Sequence, residues 1–278
     1  MGVLGGEALP GVSRTAVWLA GLRAIERGRA DRLVDDHLAE VFVSAAAAGG
    51  GVPDTTGLPP GAREFLAIRT RFFDDQALEA CAAGVSQVVL LAAGLDSRAF
   101  RLDWPTGVRL FELDLPELFA FKEPVLASAA VVPHCGRVVV GVDLREDWTG
   151  ALAAAGHQSG GATVWLAEGL LPYLSQQEGE RLLAAVTGLS APGSRIAVDH
   201  LEATADDRPA MRSTADVVRR MGANLTSTVD SPVQWLAAHG WRTTVSRVPA
   251  LGERYGCPLP GYVDLAASNA TALVAAVR

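Results

Sequence analysis

The apolar residues of this chain follow two patterns, and the change between them divides it. From Arg14 to Ala48, the residues Trp18, Leu22, Ile25, Leu33, Leu38 and Val41 recur at helical spacing, and a second helical stretch runs from Ala62 to Ala83. Gly84 follows, suited to the C′ position where a helix ends in a left-handed residue. The stretch Gly49–Gly61 reads as a Gly/Pro/Thr loop, and the Gly-rich Met1–Ser13 as disordered. Beyond Gly84, short apolar runs take over at Gln87–Ala93, Val108–Leu113, Arg137–Val142, Thr163–Ala167 and Ser194–His200. Continuous runs such as Val88-Val89-Leu90-Leu91 suit parallel strands covered on both faces. Helical segments intervene near Leu115–Ser128, Asp147–Ala155 and Gln176–Leu189.

Strand–helix alternation predicts right-handed crossovers and a doubly wound, mostly parallel α/β sheet. The rhythm breaks over Ala203–Asp230, an insertion after the fifth strand that contains the helical fragment Met211–Met221. Ser231-Pro232 starts another helix, Ser as N-cap and Pro in the first turn, which ends at His239-Gly240. Two final strands, Arg242–Val248 and Thr271–Val277, are expected to pair as an antiparallel edge hairpin, joined without a helix by the loop Pro249–Ser268. With no repeat and no second core, one domain is expected. Its parts are a helical layer over 14–84, a core over 85–202, the insertion over 203–230 and the C-terminal helix and hairpin over 231–278.

Composition narrows the function classes. A formal charge of −7 argues against a phosphate-binding surface, so no nucleic-acid partner is expected. Lys122 is the only lysine, which reads as compositional bias without functional content. The three cysteines, Cys81, Cys135 and Cys257, are far apart and form no CxxC or Cys/His spacing, so neither a disulfide framework nor a metal site is expected. No basic stretch followed by an apolar one opens the chain, and no apolar run approaches the roughly 20 residues of a membrane helix. A cytoplasmic protein fits these features.

In an open α/β sheet, ligands bind at the carboxyl ends of the strands, so the residues there are the candidates. The first strand breaks into Gly94–Arg98, where small residues let a ligand approach the backbone and Gly94 can take a positive φ. The second ends Glu112-Leu113-Asp114, with both acids on one side of the strand and placed to bind or orient the hydroxyls of a ribose. The third ends Val142-Asp143-Leu144, suited to an adenine amino group and ring, and the fourth runs into Glu168, where an amino-acid ammonium would lie. Among adenosine-type ligands, a short-chain dehydrogenase would need a Tyr-x-x-x-Lys pair that Lys122 does not form, and a P-loop is absent. The G-x-S-x-G elbow of an α/β-hydrolase is absent too. An S-adenosylmethionine enzyme survives, because methyl transfer to oxygen needs positioning and a desolvated, in-line approach.

Two segments, Ala67-Ile68-Arg69-Thr70-Arg71-Phe72-Phe73-Asp74-Asp75 and Leu91–Leu102, resemble the leucine carboxyl methyltransferase family. Glu112–Pro116, Asp143–Trp148 and Ala167–Leu174 match its remaining motifs in order, and the bacterial branch, with its polyketide O-methyltransferases, is the most similar. The resemblance spans about Thr15 to Leu201, fades over Glu202–Asp230 and fades again after Val248. It implies a class I, Rossmann-like methyltransferase fold with an N-terminal helical lid around Arg23 and Asp35-Asp36, and S-adenosylmethionine as cofactor. It also implies that Arg69, with Arg71 in reserve, pairs with the methionine carboxylate and that Gly94 lies against the methionine. Asp114 would hold the ribose, Asp143 and Leu144 the adenine, and Glu168 the ammonium or the site floor. His37 stands where the bacterial branch usually has proline.

The expected activity is O-methylation of a carboxylate or hydroxyl on a small molecule such as a polyketide or other secondary metabolite. The alternative is an S-adenosylmethionine-binding protein that is non-catalytic or runs a different reaction. A carboxylate acceptor is already ionised at neutral pH and needs only an orienting group, for which Tyr173 is placed. A phenolic acceptor would benefit from a base, and His200, at the end of the fifth strand, is the candidate. A histidine buried against backbone is the competing reading of His200.

Overall fold

A computed structural model describes residues 11–49, 61–201, 209–226, 231–259 and 271–278. Helices α1 (Gly11–Arg27), α2 (Ala39–Ala48) and α3 (Ala62–Ala82) precede β1 (Gln87–Leu91), the short α4 (Arg98–Arg101) and β2 (Arg109–Asp114). Then come α5 (Pro116–Ser128), β3 (Gly136–Gly141), α6 (Trp148–Ala154), β4 (Thr163–Ala167), a 3-10 turn over Leu171–Tyr173 and α7 (Gln176–Gly188). The chain closes with β5 (Arg195–Leu201), α8 (Pro209–Arg220), α9 (Pro232–Ala238), β6 (Arg242–Ser246), α10 (Val248–Tyr255) and β7 (Thr271–Val277). The expected disorder of Met1–Ser13 concerns residues of which 1–10 lie outside the described ones. The loop Gly49–Gly61 lies outside them over 50–60, as do 202–208 and 227–230 of the insertion region and 260–270 of the last loop.

The seven strands lie in the order β3-β2-β1-β4-β5-β7-β6, with β1 to β5 parallel and β7 antiparallel to both of its neighbours. Strand alternation explains why the apolar runs are continuous. Val88 and Leu90 of β1 point into a core shared with α1, α2, α3, α5 and α10. Val89 and Leu91 point into a second core shared with α6, α7 and α9. Both faces of the sheet are therefore covered, and the chain has the doubly wound α/β architecture expected of it.

Local signals account for the helix ends. Gly84 sits at φ 98° after α3, and the Val85 amide donates back to the Ala80 carbonyl at 3.1 Å, closing the helix as a Schellman turn. Ser175 and Glu178 cap α7 reciprocally, and Ser231 caps α9 by accepting from the Gln234 amide, with Pro232 in the first turn as expected.

Two expectations change. The single helical stretch Arg14–Ala48 is two helices: the chain turns after Arg27, and buried Asp36 restarts it by accepting from the Leu38 and Ala39 amides at 3.1 and 3.2 Å. The last two strands do pair, but β6 and β7 are not joined without a helix. Pro249 in a first turn, Val248 and Leu251 pointing into the core and Gly256 at φ 68° make α10 within the region read as a loop. That helix covers the face of the sheet opposite α9.

Candidate functional site

The strand order reverses direction between β1 and β4, which opens the crevice where such sheets take ligands. A cavity lies there, walled by the Leu90–Arg98 segment after β1, Asp114 at the end of β2, and Glu168, Gly169 and Leu170 after β4. Thr15, Ala16, Leu19 and Arg23 of α1 and Arg69 and Thr70 of α3 close it from above. The N-terminal helices thus form the cover that the helical layer implied. Arg23 ties that cover down, donating to Asp36 at 2.7 Å and to the Leu95 carbonyl at 2.7 Å. Asp35 is instead exposed and pairs with Arg27, and His37 is exposed.

Gly94 sits at φ 53°, a conformation that side chains disfavour, and a Cβ there would meet Ala16 of the cover at 3.5 Å. Its amide donates to Asp114 Oδ2 at 2.7 Å, and the Leu115 amide donates to Asp114 Oδ1 at 2.7 Å. Each carboxylate oxygen has two lone pairs, so Asp114 keeps an acceptor position on each oxygen, and the residue faces the cavity. Burial pushes the Asp114 carboxyl above its usual range, and the two amides only partly offset that.

The opposite wall is a chain of buried charges. Arg69 donates to Glu168 at 3.2 Å and to Asp199 at 3.1 Å, and Thr70 Oγ1 donates to Glu168 at 3.3 Å. Arg98 donates to Glu168 at 2.6 Å, to Asp74 at 2.7 Å and to Asp96, and Arg101 also holds Asp74 at 2.7 Å. Burial alone would raise the Glu168 carboxyl, but the guanidinium groups of Arg98 and Arg69 overcome it and hold it at about 2. Asp199 is pushed up by burial despite Arg69, and it also accepts the Gly169 amide at 2.6 Å. Arg69 Nη2 has no hydrogen bond among the described residues and lies beside Gly169 on the cavity wall, so it is free to meet an anion.

The site therefore gathers Arg69, Gly94, Asp114, Glu168 and Tyr173 of the candidates read from the sequence. It does not gather the rest. Arg71 is on the outer face of α3, half exposed, paired with Asp75 at 2.8 Å and lying over the Tyr255 ring. Glu112 is fully buried on Lys122 and Arg137 and does not line the cavity. Asp143 and Leu144 follow β3, beyond the cavity wall, with Asp143 paired to Arg145 at 2.9 Å. His200 is buried against the Trp235 ring, centroids 6.0 Å apart, on the face of β5 opposite Asp199. Sequence reasoning missed Thr70, Arg98 and Asp199. An acid at a strand's carboxyl end was the available signal for Asp199, whereas the partners of Arg98 are too distant in sequence to be read from it.

A glycine-lined crevice, a buried carboxylate with free lone pairs and a cation beside an acid suit a ribose diol and a zwitterionic amino acid on one ligand. With this sheet they define a class I methyltransferase. A profile of the leucine carboxyl methyltransferase family matches residues 16–187, more than half of the chain. A candidate S-adenosyl-L-methionine-dependent methyltransferase of Parafrankia sp. is 45% identical over 282 residues, covering 94% of this chain and 87% of its own. Another, of Streptomyces coelicolor, is 44% identical and covers 96% of each chain. In fold, the crystal structure of a candidate methyltransferase from Thermobifida fusca YX aligns at a TM-score of 0.60, with 16% identity over 97% of this chain and 95% of that one. An O-methyltransferase family protein from Burkholderia thailandensis aligns at 0.53, with 13% identity over 96% and 71%. The chain belongs to the leucine carboxyl methyltransferase family. It is an S-adenosylmethionine-dependent methyltransferase.

Arg69 and Arg71, both on α3, separate by experiment. Arg69→Ala is expected to weaken S-adenosylmethionine binding about tenfold or more, the loss of a charge-assisted bond, while Arg71→Ala leaves it unchanged. Calorimetric titration of both variants checks this, and equal effects would reject Arg69 as the carboxylate partner.

Proposed function

We propose that this methyltransferase acts on oxygen, forming a methyl ester on the carboxylate of a small molecule, with a hydroxyl acceptor as the second possibility. Bound S-adenosylmethionine supplies an electrophilic methyl group on its sulfonium. Within that reading, Asp114 takes the ribose, Arg69 the methionine carboxylate, and Asp143 and Leu144 the adenine end, while Glu168 fixes Arg69 and Arg98 as the floor. The acceptor in this reading is a secondary metabolite such as a polyketide, and the setting is cytoplasmic. No helix among the described residues is long and apolar enough to cross a membrane.

The observation that carries the acceptor class is the make-up of the wall. No histidine lines the cavity among the described residues, so no imidazole stands ready to take a proton. Tyr173 does line it, hydrogen-bonded with Thr15, and burial pushes its phenol up although Arg69 opposes that. A phenol that stays protonated at neutral pH donates to an acceptor and removes nothing from it. That suits an oxygen nucleophile that arrives already ionised, as a carboxylate does.

Incubation with S-adenosylmethionine and a panel of carboxylic acids and phenols, read by mass spectrometry for the gain of one methyl, tests the activity. For an acid substrate, kcat/KM is expected to be flat from about pH 6 to 8, since the acceptor's ionisation is complete there. Tyr173→Phe is expected to raise the acceptor KM about tenfold with kcat little changed, one orienting hydrogen bond being lost. Methylation of phenols alone, with a rate that climbs with pH, would overturn the carboxylate reading. Methylation of neither would favour a binding protein.

A further inference from the structure

Lys122 is the only lysine among 24 basic side chains, and it is fully buried. In a chain that uses arginine everywhere else, composition alone does not explain a lysine at the least exposed basic position among the described residues. Its surroundings do. The ammonium, reaching from α5, donates to the Gly94 carbonyl at 3.2 Å and to Glu112 Oε2 at 2.7 Å. Glu112 is held in turn by Arg137 at 3.0 and 2.8 Å, and Arg137 also holds Glu123 at 2.6 Å. Both polar backbone atoms of Gly94 are thus fixed: the amide by Asp114 and the carbonyl by Lys122. Glu112 and Asp114, two positions apart on β2, divide this work, since only Asp114 faces the cavity.

We propose that Lys122, carried by Glu112, is a positioning residue for the cofactor: it sets the carbonyl of the left-handed Gly94 and so the orientation of the loop on which S-adenosylmethionine lies. A compact ammonium donates in three directions from one point, which suits a carbonyl and a carboxylate oxygen that are not coplanar. A guanidinium is bulkier and holds its donors in one plane, so it does not offer them in the same directions. Glu112 therefore serves the cofactor through the loop, without touching it.

The test reads cofactor binding apart from turnover. Lys122→Met is expected to raise the dissociation constant for S-adenosylmethionine about tenfold, with kcat at saturating cofactor within about twofold of wild type. Lys122→Arg keeps the charge and is expected not to restore affinity. The double variant K122M/E112M replaces the pair by apolar side chains and leaves Arg137 on Glu123, so it separates folding from loop setting. It is expected to melt near wild type and still bind weakly. In the unaltered protein, a single lysine gives a single 15N ammonium resonance, which is expected to exchange slowly and to shift when S-adenosylmethionine is added. Wild-type affinity in Lys122→Met or in the double variant, or a resonance that does not respond to cofactor, would overturn the proposal. Failure of the wild-type protein to bind S-adenosylmethionine would instead count against the cofactor itself.

Discussion

Asp114→Asn is expected to raise the dissociation constant for S-adenosylmethionine roughly 100-fold while leaving the melting temperature nearly unchanged. The Asp114 carboxylate receives the Gly94 and Leu115 amides, each at 2.7 Å, and keeps a lone pair on each oxygen for the ligand. Asparagine replaces one oxygen with an amino group that faces one of those N–H donors, so one bond becomes a clash of donors. A hydrogen bond to a charged group is worth about 1.5–3 kcal/mol, and losing two, one to the loop and one to the ligand, accounts for the factor. Stability should behave differently. Burial raises the Asp114 carboxyl above its ordinary range, so the folded state holds the proton more tightly than the unfolded chain does. The ionised group therefore opposes folding once pH rises above that ordinary range, and removing the charge relieves this cost at neutral pH. By the same shift, wild-type affinity should begin to fall, on acidification, at a higher pH than for an ordinary aspartate. Calorimetry and thermal melting on one preparation check both halves. Wild-type affinity in the variant would remove Asp114 from the cofactor site.

How far the sequence reaches follows from the range of each interaction. Strands β1, β2, β4 and β5 were legible because each is a short apolar run buried on both faces, which needs no knowledge of the rest of the chain. Edge strand β3, mostly exposed or half-exposed, was legible from its valine run alone. Gly84, Ser175-Glu178 and Ser231-Pro232 were equally open to reading, as turn and cap chemistry is local. Helix α10 was missed although Pro249 and Gly256 mark its ends locally, because a helix this short is held by the fit of Val248 and Leu251 into the core, which the sequence pattern does not record. In the site, the acids at strand ends could be found, but not their assignment. Glu112 and Asp114 look alike on the strand, and only the arrival of Lys122 from α5 and Arg137 from β3 takes Glu112 out of the cavity. Arg69 and Arg71 differ only in which face of α3 they occupy. Lys122 shows the converse: as a letter it carried no signal, and its position over the Gly94 carbonyl gives it one.

Arg98→Met is expected to be the most destabilising of the single changes considered, lowering the melting temperature by about 10 °C at neutral pH. Arg98 is 2% exposed and donates to Asp74, Asp96 and Glu168, three carboxylates from three separate segments, and to the Thr70 carbonyl at 3.4 Å. Removing one partner of a buried ionic cluster leaves uncompensated charge, at a cost of about 3–5 kcal/mol. Here Arg101 still holds Asp74 and Arg69 still holds Glu168, which keeps the cost from growing further. The pH dependence gives the mechanism away. Glu168 is held at about 2, below its ordinary 4.5, so its pairing contributes stability that is fully present above 4.5 and is lost as pH falls toward 2. Without Arg98 that carboxyl moves back toward its ordinary value and the contribution shrinks. The gap between wild type and Arg98→Met should therefore be widest near neutral pH and narrow steadily below about pH 4. Arg98→Lys keeps the charge but not the fork that reaches three carboxylates at once, so it should fall between the two. A gap that stays constant with pH would mean that Arg98 acts by packing alone, through its side chain against the Phe73 ring, and not through the acids it joins.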